Sequence, residues 1–346
     1  MEINILNKEF EKIAIVDNYS SLMWCKRYYD IGALDLQIEA TIENINLFKQ
    51  GYYITRDDDE TVFIIKCIHI DTEENHDNNL IVGAVDIKSI LSQRIIWNTI
   101  IFNGTVENYI RKMITENIID PKWTGRQISN FKLKDERYVK GIITQQCSYD
   151  NLGEKVIDLC RNYNLGWKVT LEDGVFYFDM YEGINRSINQ TENNPIVFSP
   201  RYENLTSSVY DFNSTEYKNA ALIGGQGEGK DRVLTSVENG AGLERFEIFV
   251  DDSSSSSNSE TEITEEEYLS QLQAKGKEEL AKCSITTEFE GEIVVDSYEY
   301  KKEYDLGDII TIENEYGISV DARIVEVVET WDDTGYSIEP VFEYSD

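Results

Sequence analysis

The sequence predicts an α+β fold that is mainly β, with two β domains and a small α/β domain between them in the chain. Residues 34–42 alternate apolar and polar, the middle switches to a helical period, and a hairpin pattern near residue 51 recurs near residue 307. Composition agrees: Tyr (21) and Phe (13) are plentiful and only four prolines occur, a mix that suits sheets. At 346 residues the chain is long enough for two or three domains, and 41% hydrophobic content supplies their cores despite a formal net charge of −33. That charge argues against a surface that grips nucleic acid, which needs clustered Lys and Arg, and equally against docking on an anionic membrane.

Residues 1–98 read as the first β domain. Leu34, Leu36, Ile38, Ala40 and Ile42 alternate with Asp35, Gln37, Glu39 and Thr41, the pattern of a half-buried strand over 34–42. Gly51 to Thr55, an acidic run Asp57 to Glu60, and Val62 to Ile70 read as strand, solvated tip and strand.

Residues 99–190 read as the α/β part. Thr105 begins a helix whose stripe is Val106, Tyr109, Ile110, Met113, Ile114 and Ile118. Asp150 is a candidate cap for a second helix carrying Leu152, Val156, Leu159, Cys160 and Tyr163, which stops near Asn164-Leu165-Gly166. Asp173-Gly174 between two β-rich runs predicts a tight hairpin.

Residues 191–346 return to strands, interrupted by a Ser-rich acidic stretch and a helix over 251–283. The stretch 251–267 is too polar to offset its ordering entropy and is expected to be mobile. Thr264 with Glu267 spells a capping box, and Gly276 inside the helix predicts close packing against another backbone. Gly51-x-x-Ile54-Thr55 recurs as Gly307-x-x-Ile310-Thr311 at an offset of 256, which Ile68 and Ile324 also hold. Each copy is followed by acidic residues and a returning apolar strand, so the chain reads as carrying a duplicated β unit.

No convincing catalytic set emerges. Gly224 to Asp231 nearly spells a phosphate loop, but Asp231 stands where a hydroxyl is needed and a strand follows, so it reads as a glycine turn. Cys67, His69 and His76 lack a fourth ligand at a metal spacing, and a buried thiol and a strand histidine are the reading preferred. Asp57 to Glu60 lacks the spacing of a calcium loop. The expectation is no catalytic residue, no cofactor and no metal. The five cysteines are irregularly spaced with no CxxC and read as reduced, mostly buried thiols. No signal peptide and no membrane span is predicted.

Several segments together resemble the hub proteins at the distal end of phage tails (baseplate hub or tail-associated proteins), in the form without a hydrolase domain. They are Trp24-x-x-Arg27-Tyr28-x-x-x-Gly32-x-Leu34-x-Leu36; Gly83 through Trp97; Gly183-x-Asn185-Arg186; Val197-Phe198-Ser199; Tyr217-Lys218-Asn219; Gly225-x-Gly227-Glu228-Gly229 with Arg232; Leu272-x-x-x-Gly276-x-x-x-Leu280-Ala281; and Tyr304 to Asp308. The resemblance covers nearly the whole chain in order.

The resemblance implies two tail-tube-like β-barrel domains per subunit and a homotrimer. Three copies of two domains make a pseudo-sixfold ring joining a sixfold tail tube to a threefold tip. It implies a virion structural protein of the tail tip, made in the host bacterial cytoplasm. Its partners would be the tail tube or distal tail protein and other tip, tape-measure or fibre proteins, with no specific nucleic-acid binding and no membrane insertion. An acidic lumen suits DNA ejection because like charge repels the passing backbone, and the same charge keeps the free subunit soluble; both readings stand. Any lytic activity would lie in another chain. The alternatives are a tail-associated cell-wall hydrolase or a glycan-binding adhesin.

Overall fold

The computed structural model describes residues 1–71, 78–253, 264–294 and 297–344, with only the backbone at 208, 287–292 and 344. The strands of the first part are β1 (Ile3–Leu6), β2 (Lys12–Val16), β3 (Ser21–Arg27), β4 (Ala33–Glu39), β5 (Tyr53–Arg56), β6 (Asp59–Asp71) and β7 (Asn79–Asp86), with a short helix α1 (Ile42–Leu47) before β5. The middle carries β8 (Ile100–Thr105), α2 (Val106–Ile114), β9 (Phe131–Leu133), β10 (Ile142–Cys147), α3 (Leu152–Asn162), β11 (Gly166–Glu172) and β12 (Val175–Tyr181). The last part carries β13 (Val197–Phe198), β14 (Leu205–Asn213), β15 (Ala220–Gly224), β16 (Leu234–Val237), β17 (Glu247–Asp251), α4 (Glu265–Lys282), β18 (Thr286–Ile293), β19 (Ile309–Glu313), β20 (Ser319–Asp332) and β21 (Gly335–Tyr344).

The fold is α+β and mainly β. The first and last parts do not form separate sheets: they share one sheet of 13 strands in the order β14-β18-β21-β20-β3-β4-β7-β6-β5-β1-β2, with β19 beside β20 and β13 beside β19. Where two barrels were expected, no sheet closes on itself among the described residues. The chain crosses from one part to the other because β20 is 14 residues long. Its first half pairs with β19, and Glu326 to Trp331 pair with β3.

The duplicated hairpin is present in the backbone. Gly51 N–H donates to Ile65 O at 2.9 Å and Ile65 N–H to Tyr52 O at 2.9 Å. Gly307 N–H donates to Ile324 O at 2.8 Å and Ile324 N–H to Asp308 O at 2.9 Å. Both glycines have positive φ, +83° and +95°, which a side chain disfavours. The counterpart of Ile324 is therefore Ile65, not Ile68. Ile54 faces Phe63 whereas Ile310 faces Ala322, so the second turn is longer and a constant sequence offset misaligns the return strand. A β-bulge follows at the same place in each copy, between Ile65 and Cys67 and between Ile324 and Glu326.

The likeness extends across the strands. In the first unit β3-β4-β7-β6-β5 lie side by side; in the second, β14-β18-β21-β20-β19 do. All pairings within both are antiparallel. The row Trp24, Leu34, Ala84, Ile65 corresponds to the row Tyr210, Phe289, Phe342, Ile324.

The α/β part follows its sequence closely. Thr105 caps α2, and Val106, Tyr109, Ile110, Met113, Ile114 and Ile118 are all buried. The Asp173-Gly174 turn has φ of +49° and +75°, as the hairpin requires. The cap of α3 is Asn151, not Asp150: its Oδ1 accepts from the N–H groups of Gly153 and Glu154. The predicted strand over 34–42 ends at Glu39, because Thr41 caps α1 and turns Ile42 out into solvent.

The capping box of Thr264 and Glu267 starts α4. A Cβ at Gly276 would lie 2.6 Å from Ile223 Cδ1, so the glycine admits a side chain of β15 where a backbone was expected. Of the acidic stretch at 251–267, residues 254–263 lie outside those described, and so does His76. No described helix is long and apolar enough to cross a membrane.

Candidate assembly interface

Several of the motifs scattered along the sequence converge on two places. The first is a junction built on Tyr28. Its ring is fully buried, and a Cβ at Gly166 or Gly307 would lie 2.3 Å from it. A Cβ at Gly183 would sit 1.8 Å from Gly307 O, so these backbones touch. The Tyr28 hydroxyl donates to Asn164 O at 3.2 Å and accepts from Gly183 N–H at 3.2 Å. Asp308 accepts from Ile184 N–H at 2.7 Å and Arg186 Nε at 2.8 Å, and Arg323 Nη1 donates to Gly307 O at 2.6 Å. The segments around Tyr28, Gly183 and Gly307 are thus the points where the two sheet units and the α/β part are pinned together. Glycine is required there by contact.

The second place is the joint between β3 and β20. Arg56, from the turn side of the first hairpin, is buried between the rings of Trp24 (4.7 Å) and Trp331 (4.9 Å). It donates to Glu329 of β20 at 3.2 Å and to Asp58 at 2.9 Å. Arg27 pairs with Glu326 where the pairing of the two strands ends. Asp59 takes Lys26 at 2.9 Å and Lys301 at 2.7 Å. Burial alone would raise its carboxyl pKa, but the two ammonium groups outweigh it and hold the pKa far below the usual range. The acidic tip is therefore only partly solvated. Asp57, Asp58 and Glu60 are accessible, while Asp59 is a buried ion-pair centre.

Behind this joint lies a cavity of about 620 Å³ between the two units and the α/β part, in which Lys26, Asp59 and Lys301 face Arg137 and Lys168. Lys88 is buried at its edge, donating to Arg27 O at 2.7 Å and Asp30 O at 3.0 Å above the Trp167 ring. Burial lowers its pKa and raises that of neighbouring Asp86. Arg137 and Lys168 are held by Asp179 and Glu60.

The other sequence candidates have plain positions. Gly224 to Asp231 is the turn between antiparallel β15 and β16, and the guanidinium of Arg232 fills it, donating to Gly224 O (2.9 Å), Gly225 O (3.1 Å) and Asp251 (2.5 Å). Cys67 and His69 share one face of β6, as their parity predicts, but Cys67 is exposed where a buried thiol was expected. Among the described residues, no strand pairs with β6 on the far side of Cys67. Trp97 and Trp123, unrelated in sequence, meet edge-to-face at 4.8 Å on the surface with Arg126 over Trp97 at 4.4 Å. Nothing in their spacing could have revealed it.

Residues 2–342 match the model of the siphovirus ReqiPepy6 Gp37-like protein family. No curated protein matches. The chain is similar in structure to the 43 kDa tail protein of prophage MuSo2 from Shewanella oneidensis, with a TM-score of 0.61 and 12% identity over 99% of this chain and 98% of that one. It is similar to prophage tail protein gp18 from Listeria monocytogenes EGD-e (TM-score 0.58, 11% identity, 100% and 95% covered). It is also similar to the tail protein from Neisseria meningitidis MC58 (TM-score 0.59, 11% identity, 99% and 96% covered). The identities carry the fold alone; the family match carries the assignment, and the chain belongs to the siphovirus ReqiPepy6 Gp37-like family of phage tail proteins.

Proposed function

We propose that the chain is a non-enzymatic structural hub of a phage tail tip. Three copies form a ring that joins a sixfold tail tube to a threefold tip and surrounds the DNA exit channel. One observation carries this reading: the two sheet units have the same strand order, the same hairpin closure and the same bulge, and stand edge to edge in one sheet. A pair of similar units in one chain lets a threefold assembly present six similar surfaces. In this reading residues 1–98 and 191–346 supply the tube-like units and 99–190 the part between them. Its partners are the tube or distal tail protein and other tip components, and its place is the virion tail tip.

Mass photometry or light scattering of the purified chain, alone and with its tube protein, tests the proposal. A trimer, or a complex with the tube, is expected. A strict monomer that binds no tube or tip component sinks it. A second reading, glycan binding, draws on the surface Trp97–Trp123 pair, and a glycan array with no hits removes it. Lysis of purified cell walls by this chain alone would instead make it a hydrolase.

A further inference from the structure

Among the described residues, two edges of the main sheet correspond to the two strands that meet inside the chain. β14 is the last strand on one side of the sheet. On the other unit, β5 covers β6 only up to Ile64, with Gly51 and Tyr52 closing on Ile65. Among the described residues, Cys67 to Asp71 of β6 pair on one side alone, with β7. By the correspondence of rows, β14 is the counterpart of β3, and Cys67–Asp71 is the counterpart of 326–330 in β20. Those counterparts, β3 and β20, are hydrogen-bonded to each other.

Burial marks the same vacancy. In the joint, Val327 is 0% exposed and Glu329 4%. Their counterparts at the open edge, Ile68 and Ile70, are 40% and 42% exposed. Trp24 is 0% exposed in β3, whereas its counterpart Tyr210 is 38% exposed in β14, and Phe212 beside it 55%. Positions that the joint covers, Val327, Glu329 and Trp24, have apolar counterparts left half open where the described residues supply no neighbouring strand. An uncovered apolar edge of this kind is a template for strand addition.

We propose that Cys67–Asp71 of one copy pairs antiparallel with β14 of a second copy, in the register that β20 makes with β3 within the chain. Glu326–Arg27, Val327–Lys26, Val328–Cys25, Glu329–Trp24 and Thr330–Met23 are the pairs of the internal joint. Transferred, they become Cys67–Asn213, Ile68–Phe212, His69–Asp211, Ile70–Tyr210 and Asp71–Val209 between copies. Ile68 and Ile70 then meet the aromatic rings of Phe212 and Tyr210 on one face, a favourable cross-strand combination. His69 meets the Asp211 carboxylate on the other. The contact is head-to-tail, so each copy offers one edge and receives one, and the chain of contacts must close or run on as a fibre. The inference rests on the ring reading, which sets closure at three copies.

The register supplies its own test. In the internal joint Tyr28 N–H donates to Val325 O at 2.8 Å, just beyond the Arg27–Glu326 pair, which makes that pair a non-hydrogen-bonded one. Cα atoms of such pairs stand about 4.5 Å apart, inside the range a disulfide accepts. Cys67 is already present and exposed. The variant Asn213→Cys of the full chain, mildly oxidised with and without the tube protein, is expected to give a covalent ladder ending at trimer on a non-reducing gel. Adding Cys67→Ser removes the ladder. His69→Cys with Asp211→Cys, in the Cys67→Ser background, is the second pair of the same register and is expected to behave alike. A trimer by light scattering in which neither pair cross-links overturns the edge assignment and leaves the ring reading intact. A monomer under all conditions overturns both. A ladder running past trimer supports the edge and overturns closure at three.

Discussion

Arg56 and Glu329, far apart in sequence, share a buried hydrogen-bonded ion pair at 3.2 Å with the guanidinium stacked between Trp24 and Trp331. The pair ties the turn of the first hairpin to the long strand of the second. Taken alone it does not imply net stabilisation, because both charges had to leave water.

Breaking one side of this pair exposes that cost. Glu329→Ala leaves the guanidinium with Asp58 and Asp59 and takes the acceptor from the Tyr336 hydroxyl, so a loss of about 1.5–3 kcal/mol is expected in denaturant unfolding. Arg56→Met combined with Glu329→Leu restores most of it. If the double variant is no more stable than the single one, the pair is not the source of the loss.

The Asp59 carboxyl predicts an acid-sensitive joint. Its folded-state pKa is depressed, so its contribution is complete above the ordinary carboxylate range and is lost as pH falls below about 4. Thermal unfolding of Asp59→Asn is expected to lie well below that of the native chain at neutral pH, with the gap narrowing as pH drops under 4. A gap that stays constant with pH would contradict this.

The two hairpin glycines should respond unequally. At Gly51 an added Cβ meets only the flexible end of Lys8, at 3.2 Å, so Gly51→Ala costs little beyond the left-handed strain of about 1–2 kcal/mol. At Gly307 it meets the buried Tyr28 ring at 2.3 Å, and Gly307→Ala should cost clearly more. Equal losses in chemical denaturation would rule out the packing role assigned to Gly307.

Helix α3 separates adjacent cap candidates. Asn151→Ala is expected to cost about 1 kcal/mol, while Asp150→Ala, whose backbone carbonyl makes the structural contact to Ile96, should cost little. A reversed order in thermal unfolding would place the cap at Asp150.

Gly276→Ala is favoured by helix propensity by about 1 kcal/mol, yet its methyl would press on Ile223 at 2.6 Å. A net loss of stability is expected, relieved only in part when Ile223→Val is added, because the Cγ1 carbon that valine keeps lies 2.8 Å from the added methyl. A stabilised single variant would show that β15 yields freely.

Local chemistry is where sequence reading works best here. The Thr105 helix with its apolar stripe, the Asp173-Gly174 turn, the Thr264 capping box and the glycine turn after β15 each depend on residues within a few positions of one another, so their patterns are complete in the sequence. The duplication was visible for the same reason, through Gly51 and Gly307, whose backbone conformation restricts the residue type. The misplaced pair Ile68–Ile324 shows the limit: a longer turn shifts the register, and residue identity does not record which strand partner is opposite.

Burial across long separations was decided only by tertiary structure. Nothing near Asp59 announces Lys301, and an acidic turn with one buried member is written like one that is wholly solvated. Whether Trp24 is sealed and Tyr210 half open depends on whether a neighbouring strand exists, which is a property of sheet order and not of either strand. Short-range propensities and periodicity are set by the chain's own neighbours, and they determined the element types. Ion pairing, strand adjacency and open edges arise when distant segments share one dielectric and one hydrogen-bond ladder, and only the folded chain brings them there.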